Sequence, residues 1–437
     1  MNRAYSRKES RIPLTICIIV FLVTFFLNND LEIGYIFNYA FVAAFIGLSL
    51  VFDRKLRFSK ITLAYSFLTA IVVIFSFLPN SIMDPESNNH AISVVIFFLC
   101  CALSLPGAKE LRRAERILIF SALIMSIYIL LVKSFPNLYW NYIYPHLSSY
   151  TQNQALTLMR SYNYGVPIGG SANYADYILA LGLFICLGKT FSGYTKEKDV
   201  KINIILSIAF IIGMVIQNRR SELISTVLTL IIMYSLSVNI RYIEYKRFRR
   251  IMGAIVVIIV GIVFMYSRGM LDRYISTIIG LSKNGGGIEE VGNGRIALWN
   301  DAFQKFKSSP LIGIGWNQFR ANNDLPYMQG INVHNDYLQW LCETGIVGFV
   351  LISMPTFYLW IKTSKWCHWL FKNRVNHSNE AMSYALISFG IQTFFLIMHF
   401  MDPCFYKLIF WPMFSLSLIM YNRSIYIEKQ SNCIQNV

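Results

Sequence analysis

The feature that most constrains this chain is its series of apolar runs, about 17–25 residues each, separated by short charged segments. Each run is long enough to cross the roughly 30 Å of hydrocarbon in a bilayer as a helix. Helix is the expected state, because lipid offers backbone groups no hydrogen-bond partner outside helices and closed barrels. Hydrophobic residues make up 55% of the chain and charged residues 14%, against about 25% in soluble domains. The sequence therefore predicts an all-α, polytopic membrane protein.

The apolar runs and their charged borders predict about twelve transmembrane helices. The predicted spans are residues 13–28, 33–52, 61–78, 91–105, 117–132, 174–188, 201–217, 222–239, 251–267, 338–361, 382–399 and 405–421. The first run follows a basic segment, but no small-residue cleavage site comes after it. We therefore interpret it as a retained helix rather than a signal peptide.

The basic residues orient these spans. With the N-terminus inside, alternating spans place 27 of the 39 Lys and Arg on one side of the membrane, as the positive-inside rule requires. This arrangement accounts for the net charge of +16 without a nucleic-acid partner. It predicts that both termini lie inside and that residues 133–173 and 268–337 form long outside loops. The chain then divides into spans one to nine (1–267), the large loop (268–337), and spans ten to twelve with an inside tail (338–437).

Two outside arginines lie in the short turn "IQNRRSEL" (216–223). Arg219 and Arg220 are held close to the outer membrane surface, since the turn between the flanking spans is short. The planar guanidinium donates two parallel hydrogen bonds to phosphate oxygens, so the pair is a candidate anion site. The alternative is that both side chains only snorkel to the membrane interface.

His334 and Asn335 lie at the outer end of the tenth span, in "INVHNDYLQWLCETGIVGF" (331–349). A neutral imidazole at an interface can act as a general base, although it can equally be a hydrogen-bonded interfacial histidine. Deeper in the run, Gly345 and Gly348 would let a neighbouring helix approach closely. Glu343 lies at a depth where a carboxylate has to be paired or protonated. If it has no function in the site, its role is to tie helices together.

The outer end of the eleventh span offers a second possible acid/base pair, His399 and Asp402. Several common sites are missing from the sequence: it has no phosphate-binding P-loop, no H-E-x-x-H motif and no Asp-x-Asp motif. The eight cysteines show no C-x-x-C spacing, so we predict neither a disulfide framework nor a metal site. A phosphate ligand would meet the outside face, where nucleotides are scarce, and a lipid-linked pyrophosphate fits that location.

Three stretches carry a resemblance to a known family: "NRRSELIS" (218–225), "GRIALWNDAFQKFKSSPLIGIGWNQF" (294–319) and "HNDYLQWLCETGIVGF" (334–349). They resemble the turn, the G-R-x-x-x-W…P-x-x-G-x-G segment and the H-N-x-x-L…E-x-G-x-x-G signature of bacterial O-antigen ligases and O-antigen polymerases, which are membrane glycosyltransferases. The stretch "GGSANYADYILAL" (169–181) is a weaker match and makes Asn173 a candidate substrate-binding residue. The strong resemblance covers residues 294–349.

The resemblance implies a donor glycan on undecaprenyl pyrophosphate in the periplasmic leaflet of the bacterial inner membrane. His334 matches the family's histidine, and Arg295 matches its loop arginine. The turn arginine is Arg220, or Arg219 if Leu223 is the anchor of the motif. These residues are the predicted catalytic set, and the predicted substrate-binding residues are Arg219, Asn335, Asn173, His399 and Asp402.

The implied reaction is a single displacement at the anomeric carbon, without a metal or another cofactor. His334 would accept the acceptor's proton, and the arginines would stabilise the leaving pyrophosphate. We favour an O-antigen ligase, whose acceptor is a hydroxyl of lipid A–core. A polymerase that extends a surface polysaccharide with the same donor is the first alternative. A transporter is a second alternative. It would need ionisable groups near mid-membrane, and most acidic and basic residues lie at the ends of the predicted spans, with Glu343 as the exception.

Overall fold

A computed structural model describes Ile18, Leu22 and residues 59–76, 107–161, 165–168, 172–195, 197–237, 294–328, 330–372, 374–407 and 409–435. The regular elements in these ranges are all helices, and no β-strand occurs among them. The all-α prediction is therefore confirmed for this part of the chain. The predicted spans 33–52, 91–105 and 251–267, and the predicted span 13–28 apart from Ile18 and Leu22, lie outside the described residues.

The long helices are α1 (Lys60–Ser76), α2 (Ala108–Ser134), α3 (Ala172–Ser192), α4 (Glu197–Gln217), α5 (Arg220–Ser237), α6 (Arg295–Ser308), α7 (Asp336–Lys372), α8 (Asn379–Met398) and α9 (Phe410–Gln435). Most extend beyond the predicted spans. The fifth predicted span, 117–132, lies inside α2, because the first turns of α2 carry charged side chains that an apolar run does not include.

Five of the described helices are long and apolar enough to cross a membrane: α2, the Tyr174–Ser192 part of α3, α4, α7 and α8. Helix α1 is apolar but shorter. Because this search covered the described ranges alone, the total of about twelve spans stays a prediction.

The helices α3 and α8 form the centre of the bundle. Helix α8 packs against α3, α5, α7 and α9, and it is buried along nearly its whole length. A helix that is apolar on all sides is expected at such a position. The helices α2 and α4 pack against each other and against α3, but they expose Phe120, Ile124 and Ile205 on their outer faces. These exposed apolar faces are where lipid would contact the protein.

The segment predicted as an outside loop at 133–173 contains a series of short helices. They are Pro136–Leu138, the π-helix Tyr139–Ile143, the 3-10 helix Tyr144–His146, Ser149–Ala155 and the π-helix Leu156–Ser161. The chain then returns to the bundle through Val166, whose backbone N–H donates to Gln217 Oε1 at 2.7 Å. Gln217 Nε2 donates back to the carbonyl oxygen of Val166 at 3.1 Å. This segment therefore contacts the end of α4, directly before the arginine turn.

Helix α7 is interrupted at Gly345, which has φ 63° and ψ −172°. In an uninterrupted helix, the N–H groups of Ile346 and Val347 would donate to the carbonyl oxygens of Cys342 and Glu343. These four groups instead bond to residues 310–315, the segment that follows α6. Ile346 and Val347 donate to the carbonyl oxygens of Pro310 and Leu311, at 2.9 and 3.3 Å, and Cys342 and Glu343 accept from Ile314 and Gly315, both at 2.9 Å.

Two facing glycines make this docking possible. A Cβ at Gly345 would lie 2.3 Å from the backbone of Leu311, and a Cβ at Gly313 would lie 2.3 Å from the backbone of Glu343. Both residues also have positive φ, which disfavours other residue types. The interruption therefore fixes the loop after α6 to the membrane helix that begins next to His334, with its backbone groups satisfied.

Candidate active site

His334 lies in the turn before α7 with a left-handed backbone, at φ 56°. This conformation costs a non-glycine residue roughly 1–2 kcal/mol. The side chain is 33% exposed, and its Nδ1 atom lies 3.5 Å from Oδ1 of Asp402. Since Nδ1 faces the carboxylate, Nε2 is the ring nitrogen available to a substrate. A partly exposed imidazole held beside a buried carboxylate is an arrangement suited to accepting a proton.

Asp402 is buried in the linker between α8 and α9, and its two oxygens have different partners. Oδ2 accepts a hydrogen bond from the Tyr177 hydroxyl at 2.7 Å and pairs with the Lys407 ammonium, whereas Oδ1 faces His334. Burial by itself raises the pKa of the Asp402 carboxyl. The Lys407 charge and the interaction with His334 outweigh burial, so the pKa lies well below its ordinary value. Asp402 therefore stays ionised and can stabilise a protonated His334.

The arginine turn lies beside this cluster. Asn218 adopts a left-handed conformation, at φ 57°, and Arg219 and Arg220 follow at the start of α5. Arg219 Nη2 lies 3.7 Å from Oε1 of Glu222, a fully buried carboxylate. Further along α5, Ser225 Oγ lies 3.7 Å from the sulfur of Met401. The turn is thus packed against the linker that carries Asp402.

Arg295 is the first residue of α6, and its side chain is partly exposed. One turn further along the helix, Trp299 Nε1 donates to the carbonyl oxygen of Val333 at 3.1 Å. Leu298, which neighbours Trp299, belongs to an apolar cluster with Val333 and Cys342. Residues four apart share a helix face, so Arg295 projects from the same face of α6 that contacts the residue preceding His334. Arg295 and His334 thus lie on segments that contact each other, and α5, which begins at Arg220, contacts α7 and the linker that carries Asp402.

His399 and Asp336 form a second histidine–carboxylate pair close by. His399 Nδ1 lies 2.6 Å from Asp336 Oδ2, and both side chains are fully buried. The same oxygen accepts from the backbone N–H of Phe405 at 2.9 Å and from the Cys404 thiol at 3.3 Å. Burial raises the pKa of that thiol well above its ordinary value, so Cys404 remains a hydrogen-bond donor. The His399–Asp402 pair predicted from the sequence is therefore replaced by His399–Asp336 and His334–Asp402.

Asp336, His399 and Cys404 are also the described residues whose donor atoms could hold a metal ion, since these atoms all lie within 4.8 Å of one another. Their separations of 2.6, 3.1 and 3.3 Å fit hydrogen bonds. A metal ion bound through Asp336 Oδ2 would have to displace these donors, whereas Asp336 Oδ1 has no hydrogen-bond partner among the described residues.

Two of the predicted substrate-binding residues have places that the sequence did not specify. Asn335 caps α7: its Oδ1 accepts the backbone N–H of Leu338 at 3.1 Å, which is the usual role of asparagine at a helix N-terminus. Asn173 lies in the first turn of α3, and its side chain is outside the described part of the structure. Their roles in substrate binding stay predictions.

Glu343 is paired, as its depth in the apolar run required. It accepts hydrogen bonds from the Tyr406 hydroxyl at 2.6 Å, the backbone N–H of Asn317 at 2.9 Å and Gln339 Nε2 at 3.1 Å. It therefore ties α7 to the loop after α6 and to the linker before α9, in agreement with the structural role considered from the sequence. Sequence reasoning missed Gln339 and Tyr406. Gln339 lies one helical turn before Glu343, and Tyr406 is adjacent to Lys407. These positions were the available signals.

Comparison with known proteins adds one finding. Residues 205–353 match the family model described as O-antigen ligase, and a search of curated proteins gave no match to the chain. The matched segment contains the arginine turn, α6 and the turn with His334. This segment of the chain is therefore similar to the O-antigen ligase family.

Proposed function

We propose that this protein is a glycosyltransferase at the periplasmic face of the bacterial inner membrane. It moves a glycan from undecaprenyl pyrophosphate to a hydroxyl group of lipid A–core. The observation that carries the proposal is the partly exposed imidazole of His334, 3.5 Å from the ionised and buried Asp402. Neighbouring elements that carry arginines support the same reading.

His334 acts as the general base. The acceptor hydroxyl gives its proton to Nε2 of His334 while its oxygen bonds to the anomeric carbon of the donor. The bond from that carbon to the pyrophosphate oxygen breaks, and the electron pair leaves with undecaprenyl pyrophosphate. Asp402 stabilises the imidazolium that forms, and Lys407 together with Tyr177 holds Asp402 in place. General-base catalysis of this kind contributes about 10²–10⁴-fold to a rate.

Arg295 and Arg220 stabilise the negative charge that grows on the leaving pyrophosphate. Two guanidinium groups supply this stabilisation, and pyrophosphate needs no protonation to leave, so the reaction as proposed uses no metal. We assign the role to Arg220, because the following Ser221 then takes the place of the small residue in the family's turn, while Arg219 Nη2 lies 3.7 Å from the buried Glu222. Arg219 then keeps the turn in place, where it contributes to substrate binding by fixing the position of Arg220.

An apolar groove near the site supports a lipid-linked donor. It is lined by apolar side chains of α2, α3 and α9, among them Leu118, Ile178, Leu181 and Met413, together with Ile18, Leu22 and Ile409. Ile409 follows Lys407 by two residues, so one end of the groove lies close to the Asp402 cluster. We expect the isoprenoid chain of the donor to lie along this groove, with its pyrophosphate toward His334.

The site lies in the periplasm if the orientation predicted from the basic residues holds. In that orientation both termini are cytoplasmic, about twelve helices cross the membrane, and residues 133–173 and 268–337 face the periplasm. Labelling of single cysteines introduced at Lys307 and at Lys372 with a membrane-impermeant maleimide tests this directly. Modification in intact cells is expected at position 307 and not at position 372. The reverse pattern would place the site in the cytoplasm and would contradict the proposal.

Deletion of the gene and gel analysis of lipopolysaccharide test the reaction. Loss of a ligase leaves lipid A–core without O-chain, while lipid-linked polymer accumulates, and wild-type protein restores the ladder whereas His334→Ala does not. Core bearing a single repeat unit would instead identify a polymerase. An unchanged lipopolysaccharide pattern would show that the acceptor is another molecule.

A further inference from the structure

We propose that Gln339 is a positioning residue, which together with Glu343 holds His334 in its left-handed conformation facing Asp402. The inference deepens the proposed function, since it rests on the role of His334 as the base. Gln339 lies in the first turns of α7 and is fully buried. It has no place in the reaction steps above.

The side-chain amide of Gln339 forms hydrogen bonds with the two residues before His334, Asn332 and Val333. Its Oε1 accepts the backbone N–H of Val333 at 3.3 Å, and its Nε2 donates to Asn332 Oδ1 at 3.2 Å. Nε2 also donates to Glu343 Oε1 at 3.1 Å. Both amide hydrogens are therefore used, and the amide oxygen has a partner.

Glu343 determines which way this amide points. A carboxylate can only accept hydrogen bonds, and Glu343 already accepts from the Tyr406 hydroxyl and from the backbone N–H of Asn317. The NH₂ group of Gln339 must therefore face Glu343. Its oxygen is left facing Val333, where the N–H of the turn needs an acceptor.

The turn needs such support because His334 has φ 56°. A residue in a sparsely populated conformation persists only where the surrounding structure determines it. Two side chains hold the backbone of Val333: the partly buried Trp299 donates to its carbonyl oxygen, and the buried Gln339 accepts from its N–H. Without Gln339, the turn can relax toward an ordinary conformation and the imidazole moves away from Asp402. A displacement of about 1 Å at a reacting group can cost on the order of 100-fold in rate.

The test compares Gln339→Met with the control Gln392→Met, in the full-length protein in lipid nanodiscs. Methionine keeps the length of the side chain and removes its hydrogen bonds. Gln392 is a matched control, because it is also buried and bonds to Ser388 and Ser417 within the bundle. In a transfer assay with cell-derived lipid-linked O-antigen and purified lipid A–core, Gln339→Met is expected to lower kcat at least about tenfold. Its KM for the donor should stay within about twofold, since the arginines are unchanged.

A second readout does not depend on activity. Diethyl pyrocarbonate modifies exposed imidazoles, and mass spectrometry gives the rate at His334 relative to the exposed His146. In Gln339→Met the relative rate at His334 is expected to rise at least about threefold, because the freed turn exposes the ring. In Gln392→Met it should equal the wild-type rate.

Equal modification rates at His334 in the two variants would overturn the proposal, as would equal losses of kcat. If wild-type protein transfers no glycan, the proposed function fails, but the modification rates still decide whether Gln339 positions His334.

Discussion

Two histidine–aspartate pairs lie at the same end of the described bundle. They have the same functional groups but differ in exposure and in the distance between histidine and carboxylate. In the first, His334 is 33% exposed and its Nδ1 lies 3.5 Å from Asp402. In the second, His399 is fully buried and its Nδ1 lies 2.6 Å from Asp336. The pair that looks tighter is the one that a substrate cannot reach.

The comparison shows that packing, and not the identity of the pair, decides which histidine is accessible from outside the bundle. One oxygen of Asp336 accepts hydrogen bonds from three donors. The His399 ring packs against Trp340 and Phe410, with ring centroids 5.1 and 5.6 Å away. In Asp402, Oδ2 interacts with Lys407 and Tyr177, and Oδ1 faces His334. The His399–Asp336 cluster joins α7, α8 and the linker before α9, whereas the His334–Asp402 pair leaves the imidazole of His334 partly exposed.

The largest expected effect is that of His334→Ala. Loss of the base should lower kcat by about 10²–10⁴-fold, while the melting temperature changes little, because the side chain is partly exposed. Purified protein, assayed for transfer of lipid-linked glycan to lipid A–core, gives the rate, and thermal unfolding in detergent gives the stability. A variant that keeps wild-type kcat would show that His334 is not the base, and the greater exposure of this pair would then have no catalytic meaning.

Arg295→Ala is expected to lower kcat by about 10²–10³-fold, the usual loss when one donor to a developing negative charge is removed. Arg295→Lys should recover only part of the rate, since an ammonium cannot bond to two phosphate oxygens with fixed geometry. Lys307→Ala, at the other end of α6, is the matched control and should leave kcat unchanged. Equal losses for Arg295→Ala and Lys307→Ala would mean that α6 contributes only general positive charge.

Asp402→Asn should lower kcat by about 10–100-fold, because a neutral amide stabilises the imidazolium less than a carboxylate does. The variant also carries a pH signature. A carboxyl with a lowered pKa contributes stability that is complete above the ordinary aspartate pKa of about 3.9 and is lost as pH falls through the lowered value. The difference in melting temperature between wild type and Asp402→Asn should therefore be at least as large at pH 5 as at pH 7, because a protonated His334 interacts more strongly with the ionised carboxylate, and it should shrink below about pH 4. A difference that already shrinks between pH 7 and pH 5 would contradict the assignment of Asp402 as an ionised partner.

The sequence predicted the helical class, the approximate positions of the described spans and the elements that carry the candidate residues. Apolar periodicity and the positive-inside asymmetry are properties of contiguous segments, so a single sequence displays them. The pairing of Asp402 with His334 and of His399 with Asp336 could not be predicted in this way. It depends on how the linker before α9 folds back against the start of α7, over more than 60 residues of chain.

The interruption of α7 at Gly345 was missed for a related reason. A glycine inside an apolar run lowers helix propensity by about 1 kcal/mol relative to alanine, which by itself does not predict a break. The break is stable only because Pro310 and Leu311 accept, and Ile314 and Gly315 donate, the hydrogen bonds that the helix gives up. The glycines of "PLIGIG" (310–315) and "ETGIVG" (343–348) were visible in the sequence, but their contact with each other was not.

The second pair should show the reverse pattern of effects. His399→Gln is expected to lower the free energy of unfolding by about 1–3 kcal/mol, the usual cost of leaving a buried partner unsatisfied, and to leave kcat of the folded protein within about threefold. Thermal unfolding and transfer by the folded fraction separate the two quantities. A loss of kcat as large as that of His334→Ala, at unchanged stability, would show that substrate reaches His399, as the sequence prediction of a binding role for this residue requires.

The smallest expected effect is that of a chelator, which decides whether the second pair is purely a hydrogen-bonded cluster. Dialysis against EDTA should change neither kcat nor the melting temperature, because Asp336 Oδ2, the oxygen within hydrogen-bond distance of His399 and Cys404, already accepts three hydrogen bonds. Removing a structural metal ion would instead destabilise the protein, since metal binding to the folded state contributes directly to stability. A fall in melting temperature on chelation that zinc reverses, and that Cys404→Ser abolishes, would assign the cluster to a metal ion. The difference between the two pairs would then be one of ligand chemistry as well as of exposure.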